Sequence, residues 1–247
     1  YKETVVQSPE FLLNELQKID TPVDYFKFYN SVSSVYSSKI EGENIDFDSF
    51  FKHKFLNVQY QPDYTKKADD LFLAYEFIYT NNLTFENLRK AHSLLSSNLL
   101  PKSQQGFIRK NPMFVINSDD RIEYIAADSG IVESELLKLF SDIEILQNKE
   151  LDEFEAFYYA SLIHLVFVKI HPFQDGNGRA ARLLEKWFLI ESIGEKATAV
   201  QLEKNYYKNL ESYYNNIKVL GLEYDKLNYS KALNFLLMTV MSMKLPN

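Results

Sequence analysis

The sequence predicts a mainly α-helical fold, a bundle of helices with one β-hairpin, and three observations carry that expectation. Apolar residues recur at spacings near 3.6 along most of the chain, with turn residues between the periodic runs. One stretch, Met113 to Ala127, carries strand character: Met113-Phe114-Val115-Ile116 and Ile122-Glu123-Tyr124-Ile125 flank the polar Asn117-Ser118-Asp119-Asp120, a hairpin signal. The segment from Asp152 to Ile170 is apolar nearly all round, as a helix covered by neighbours on several sides must be.

Taken in order, the spacing predicts helices over Pro9 to Lys18, Val23 to Glu41, Asp46 to Leu56, Thr65 to Tyr79 and Thr84 to Leu99, then the hairpin. Further helices are expected over Glu133 to Gln147, Asp152 to Ile170, Gly178 to Ser192, Gln201 to Ile217 and Tyr224 to Met243. Pro172 disfavours the α conformation at His171, so the apolar helix should stop there. The helix carrying Leu183, Leu184, Trp187, Phe188 and Ile190 begins within a few residues, so a short loop joins two buried helices and inherits their rigidity. No internal repeat, low-complexity tract or Pro/Gly-rich linker interrupts the pattern.

Composition narrows the partners. With 247 residues and 46% apolar content the chain can bury a substantial core. A net charge of -7 argues against nucleic acid, whose phosphates bind basic patches. Cys is absent, so disulfide and thiolate chemistry are excluded, which suits a cytoplasmic location. No apolar run approaches the roughly 20 residues of a membrane span. The first residue is Tyr1 rather than Met, which leaves open both further residues upstream and a removed signal peptide. The tyrosine-rich apolar helices offer a face for a homodimer.

The loop His171-Pro172-Phe173-Gln174-Asp175-Gly176-Asn177-Gly178-Arg179-Ala180-Ala181-Arg182 is dense in chemistry. Gly176 and Gly178 can take positive φ and let backbone N–H groups converge on an anion at the start of a helix, where the dipole adds to the attraction. Only five of the 27 basic residues are Arg, and Arg179 and Arg182 lie three apart on that helix. Guanidinium forks suit phosphate oxygens, so a polyphosphate is the natural guest. Asp175 would repel a naked phosphate, and Mg²⁺ shared between its carboxylate and the phosphates resolves the conflict. His171, with an ordinary pKa near 6.5, can take a proton from an incoming hydroxyl at neutral pH.

In order and spacing the loop resembles the signature of the Fic family, His-x-Phe-x-acid-Gly-Asn-Gly-Arg-x-x-Arg, at every defined position. The resemblance implies a Fic-type helical bundle with a hairpin flap over the loop. It also implies an enzyme that transfers AMP from ATP, with Mg²⁺, to a Ser, Thr or Tyr hydroxyl of a target protein or of itself. By position, His171 resembles the catalytic base and Asp175 the metal ligand. Gly176, Asn177 and Gly178 resemble the phosphate cradle, Arg179 and Arg182 the polyphosphate clamps, and Phe173 the residue that packs the loop onto the core. The target segment would add as a strand to the flap. Tyr206 and Tyr207 resemble a tyrosine pair near the adenine, with Tyr207 as the nucleotide contact, although an aromatic stripe is more often core.

Ser37-Ser38-Lys39-Ile40-Glu41-Gly42 resembles the family's inhibitory motif, Ser/Thr-x-x-x-Glu-Gly/Asn, placed before the core. Ser37, Glu41 and Gly42 then mark a latch in which Glu41 pairs with Arg182 and denies it to the γ-phosphate. The competing reading is a helix that ends at a Gly42 cap with its carboxylate in water. The resemblance divides the chain into an N-terminal helical region, 1–60, bearing this motif, and a catalytic core, 61–247, with the flap at about 111–127 and the signature loop at 171–182.

Alternatives share the same residues. A Fic-fold enzyme can remove AMP with water or transfer another phosphate-linked group, and a non-catalytic nucleotide-binding module would need neither His171 nor Asp175. Gly176-Asn177-Gly178-Arg179-Ala180-Ala181 also spells a dinucleotide fingerprint, but no βαβ alternation surrounds it. His164, a lone polar group on the apolar helix, is expected to be a hydrogen-bonded core histidine. His53 and His92 carry no functional signal.

Overall fold

A computed structural model describes residues 1–18, 21, 24–116 and 120–243. Eleven α-helices, where the periodicity predicts ten, and the expected two-stranded antiparallel hairpin are present among the described residues. The helices are α1 (Pro9–Leu16), α2 (Tyr25–Ile40), α3 (Phe47–Leu56), α4 (Pro62–Thr80), α5 (Phe85–Leu95), α6 (Val132–Gln147), α7 (Glu153–Ile170), α8 (Asn177–Ile193), α9 (Leu202–Lys208), α10 (Leu210–Lys218) and α11 (Leu233–Met241). Strands β1 (Phe114–Ile116) and β2 (Ile122–Ile125) lie between α5 and α6.

Short polar side chains set where the helices begin. Asp24, Asp46 and Thr84 accept hydrogen bonds from Lys27 N, Ser49 N and Asn87 N at the starts of α2, α3 and α5. At α7 a capping box closes reciprocally: Asp152 accepts from Glu155 N at 2.8 Å, and Glu155 accepts from Asp152 N at 3.1 Å. The start of the second helix at Val23 lies outside the described residues, as do Asn117, Ser118 and Asp119 of the hairpin turn.

The bundle is organised around α7 and α8. Phe157, Leu165 and Phe167 of α7 and Leu183, Leu184, Trp187 and Phe188 of α8 are fully buried. The Trp187 indole donates to Asn81 O at 3.0 Å, so even its polar edge is satisfied. Leu12, Leu13 and Leu16 of α1 and Tyr29 and Ile40 of α2 join the same core, so α2 is packed into the body that carries the loop. A second cluster, Val35, Ile45, Phe50, Ala68 and Phe72, seats α3 beneath it.

Two of the predicted helices are broken. The run from Gln201 to Ile217 divides at Asn209, whose side-chain amide donates to Asn205 O at 2.9 Å while its backbone sits at φ -119, ψ 40. Asn offers the backbone such a local alternative to the helix ladder. From Tyr224 to Lys231 the chain forms 3₁₀ turns, one fixed by Ser230 N donating to the side-chain Oδ1 of Asn228 at 3.0 Å, and α11 starts only at Leu233. The helix expected to reach Leu99 ends at Leu95.

In the hairpin Phe114 faces Ile125, Val115 faces Tyr124 and Ile116 faces Ile122, with a register irregularity between Val115 and Ile116. Pairing continues at its base through Ala126 N to Met113 O. Tethers hold β2 to the bundle: Ile125 N donates to Leu222 O at 2.8 Å, Lys218 pairs with Glu123 at 2.5 Å, and the Tyr124 hydroxyl donates to Lys169 O at 2.6 Å. Phe114, Ile116 and Ile122 stay about half exposed. None of the helices is long and apolar enough, among the described residues, to cross a membrane.

Candidate active site

His171 ends α7 in the left-handed conformation, φ 55 and ψ 59, where a non-glycine residue is strained and must be held by its surroundings. Pro172 explains why the helix stops. Two residues that the sequence gives no reason to select do the holding. Arg109 donates from Nε to His171 O at 2.7 Å, from Nη1 to Asn111 O at 2.6 Å and from Nη2 to Ala127 O at 2.5 Å. Its own N–H reaches Pro172 O at 2.9 Å. One buried guanidinium thus joins the end of α7 to the base of the hairpin.

His92 of α5 holds the other half of the loop. Gly106 N donates to its Nδ1 at 2.9 Å, which leaves the proton on Nε2 to donate to Asp175 O at 2.9 Å. Its ring lies 3.6 Å from that of Phe173, nearly parallel, and Phe173 is fully buried as the resemblance implies. Burial pushes the His92 pKa down to about 4, so the ring is neutral at pH 7. Asn177 closes the loop, accepting from Phe173 N and donating to Phe173 O, both at 2.8 Å.

The His171 ring is oriented by Nδ1, which donates to Val168 O at 3.2 Å, leaving Nε2 as the basic nitrogen. Burial, with the Arg109 charge, lowers its pKa below the ordinary value against smaller opposing effects of Val168 O, Glu41 and Asp175. The neutral form therefore dominates at pH 7.

Of the two loop glycines, Gly176 meets the expectation of positive φ and Gly178 does not. Gly176 has φ 77, and a Cβ there would press on Leu95 and His92. Gly178 lies inside α8 with ordinary helical geometry, so positive φ is not its reason. A Cβ at Gly178 would lie 2.6 Å from Glu41 Oε1 and 3.2 Å from Arg182 Nη1. The glycine is needed because a carboxylate comes that close to the first turn of α8, whose leading N–H groups have no intrahelical partner.

That carboxylate belongs to the end of α2. Gly42, at φ 85, terminates the helix, and Glu41, its side chain still 27% exposed, turns to Arg182, with Oε1 2.6 Å from Nη2. Ser37 completes the grip: its hydroxyl accepts from Arg182 Nε at 2.9 Å and its carbonyl from Nη2 at 3.2 Å. Burial works against the Glu41 charge, but Arg182 and Arg179 outweigh it and hold the carboxyl below its ordinary range. Arg182 is 1% exposed; burial opposes its charge too, and Tyr213 and Glu41 more than offset that.

The remaining Arg182 nitrogen opens a relay into the core. Nη1 can only donate, so the Tyr213 hydroxyl accepts at 3.3 Å and sends its own hydrogen to His164 Nε2 at 3.0 Å. His164 Nδ1–H then faces Glu185 Oε2 at 2.6 Å, and Glu185 also accepts from Tyr206 and Thr239. His164 is thus a hydrogen-bonded core histidine, as the apolar helix around it suggests.

Arg179 is also buried, with a Glu43 oxygen 3.7 Å away and its Nε without a hydrogen-bond partner among the described residues. Asp175 is exposed; its Oδ1 accepts from Gly176 N at 2.6 Å, leaving the second oxygen open to a cation. A single free carboxylate of this kind fits a metal that takes its other ligands from phosphate and water.

His171, Gly178, Arg182 and Glu41 line one cavity of about 510 Å³, together with Val115, Ile116 and Tyr124 of the hairpin and Tyr213 and Tyr214 of α10. Tyr207 is not part of this lining. Its ring packs on Tyr36 at 5.6 Å and beneath Lys39, while Tyr206 is wholly buried on Glu185. The tyrosine pair in the cavity is Tyr213 and Tyr214, seven residues further on.

Residues 82–189 match the family model described as "Fic/DOC family", so this stretch carries a Fic/DOC domain. No curated protein matches the sequence. Similar solved structures include a Fic family protein from Desulfovibrio desulfuricans (TM-score 0.75, 19% identity, 97% of this chain and 73% of that one). A Fic domain containing signaling protein from Bacteroides thetaiotaomicron has TM-score 0.73 and 18% identity, over 95% of this chain and 92% of that one. Fic-1 from C. elegans has TM-score 0.67 and 16% identity, over 95% and 67%. At such identities the likeness is one of fold. Members of the family commonly transfer AMP or other phosphate-linked groups to proteins.

Proposed function

We propose that this chain is a protein adenylyltransferase held in check by its own Glu41. The observation that supports the reading is a carboxylate seated where a phosphate belongs. Glu41 Oε1 lies against Gly178 on the first turn of α8 and takes Arg182 Nη2 at 2.6 Å. With Glu41 withdrawn, Arg182, still held by Tyr213, and the unpartnered Arg179 Nε can receive the phosphates of ATP. Asp175 would hold Mg²⁺, which supplies charge neutralisation between the phosphates and the carboxylate.

In the transfer step a target hydroxyl gives its proton to His171 Nε2 as its oxygen bonds to the α-phosphorus. The bond from that phosphorus to the bridging oxygen breaks, and pyrophosphate leaves carrying the electron pair. The strained main chain of His171, pinned by Arg109, keeps the imidazole in place for this. The target segment would lie along the hairpin as an added strand, and self-modification would use the same geometry.

Incubating the full chain and its Glu41→Gly form with Mg²⁺ and each α-labelled nucleoside triphosphate in a cell lysate tests the reading, with mass spectrometry of the labelled bands. AMP-sized increments that grow with Glu41→Gly support it. A phosphate-only increment, or loss of AMP from pre-modified proteins that requires Glu41, contradicts it.

A further inference from the structure

Lys169 lies two residues before His171 and is 1% exposed, yet it has no carboxylate of its own among the described residues. Its Nζ rests 3.8 Å from the centre of the Tyr124 ring, an interaction that steadies an ammonium without neutralising it. The nearest β2 carboxylate in the lining, Glu123, is engaged by Lys218 at 2.5 Å. A buried cation without an anion is costly, and burial accordingly lowers the amine to about 8, which leaves it mostly charged at pH 7. Its position in the last turn of α7 helps it stay so, because the helix end carries partial negative charge. Lys169 and the hairpin residues Val115, Ile116 and Tyr124 all line the His171 cavity.

We infer that Lys169 forms an anion subsite that receives a carboxylate of the target protein, an Asp or Glu side chain near the hydroxyl that is modified. This inference rests on the reading that an extended target segment lies along the hairpin with its hydroxyl at His171. In such a segment residues rise about 3.3 Å each and alternate in face, so the residue two positions away shares the face of the hydroxyl at about 6.6 Å. On that reading, an acidic residue two positions from the modified Ser, Thr or Tyr shares the hydroxyl's face and is the one that would meet Lys169. Phosphate is the other oxyanion in reach, but the phosphate-binding groups lie on α8 and the lysine comes from the hairpin side.

The test uses synthetic peptides with one central Ser, Thr or Tyr, and Asp, Asn or Lys placed in turn at each position from three before to three after. Mg²⁺-ATP-dependent labelling by the full-length Glu41→Gly chain should favour Asp over Asn by about tenfold two positions from the hydroxyl. Lys should be the poorest of the three there. The Asp:Asn ratio should collapse towards one in Lys169→Met and persist in Lys169→Arg. Fluorescence anisotropy of the same peptides on the unmodified full chain gives a readout independent of transfer. No labelling, with the Asp peptide still bound about tenfold tighter than the Asn peptide and only when Lys169 is present, removes the adenylyltransferase reading and keeps the subsite. Equal binding and labelling of Asp and Asn peptides at every position overturns the subsite. So does a Lys169→Met chain that keeps the ratio but has a raised KM for ATP, which would assign the lysine to phosphate.

Discussion

The signature loop and the end of α2 meet at the first turn of α8, but they are held in opposite ways. The loop is fixed through its main chain: Arg109 takes the carbonyl of His171, His92 takes that of Asp175, and Asn177 brackets Phe173 from both sides. Releasing it means leaving several buried polar groups unpaired, each costing about 1–3 kcal/mol. The α2 end is held one turn back, where Ser37 takes Arg182 through its hydroxyl and carbonyl, but Glu41 itself reaches α8 only through its side chain, on the residue where the helix stops, with Gly42 beyond it at φ 85. The loop is built to stay, whereas the Glu41 side chain can swing away without moving α2. A catalytic centre needs the first property and a latch the second.

The largest effect expected is on the fixed side. His171→Ala should lower AMP transfer by about 10²–10⁴-fold, measured in the Glu41→Gly background, while leaving ATP binding in place. Retained transfer would assign the base elsewhere. In the parent Glu41→Gly protein the acid limb of the rate profile should fall below pH 6.5, because burial holds the neutral form of His171 to lower pH and removing Glu41 takes away a stabilising charge.

Next comes the cost of protonating the loop's buried support. His92 has a folded pKa of about 4 against an ordinary 6.5, so the unfolded chain binds the proton more readily. Its contribution is present above pH 6.5 and is lost as pH falls towards 4, amounting to about 3 kcal/mol. Denaturant titrations across that window should show the loss, and His92→Gln, less stable at pH 7, should show a shallower decline. Identical slopes would contradict the assigned role.

On the removable side the effects are smaller. Glu41→Gly should raise transfer by about tenfold, the equivalent of about 1.4 kcal/mol, with little change in Tm. Tyr213→Phe removes one acceptor from Arg182 and one donor to His164. It should cost about 1 kcal/mol and show mainly as a raised KM for ATP in the Glu41→Gly background. If Tyr213→Phe lowers stability alone, the relay is structural and does not serve the arginine.

The spacing of His171, Asp175, the glycines and the arginines was legible because local chemistry dictates it, and Pro172 marked the end of α7. The supports were not. Arg109 and His92 lie 62 and 83 residues from the groups they hold, and nothing beside them in the chain distinguishes them from other basic residues. Gly178 was recognised as necessary for the wrong reason, since the approach of Glu41 is a tertiary fact. Tyr206 and Tyr213 share a helical face by period, so spacing alone does not tell which pair reaches the cavity; the break at Asn209 decides it. The same break, and the turns around Asn228, defeated the two long C-terminal helices because Asn can bond its own neighbourhood.

The central claim is that Glu41 acts by occupying Arg182. Transfer rates of four proteins test it most directly: the unmodified chain, Glu41→Gly, Arg182→Lys and the double variant. The account predicts a gain of about tenfold from Glu41→Gly when Arg182 is present and almost none when it is Lys, because there is then no guanidinium to set free. An equal gain in both backgrounds would contradict it.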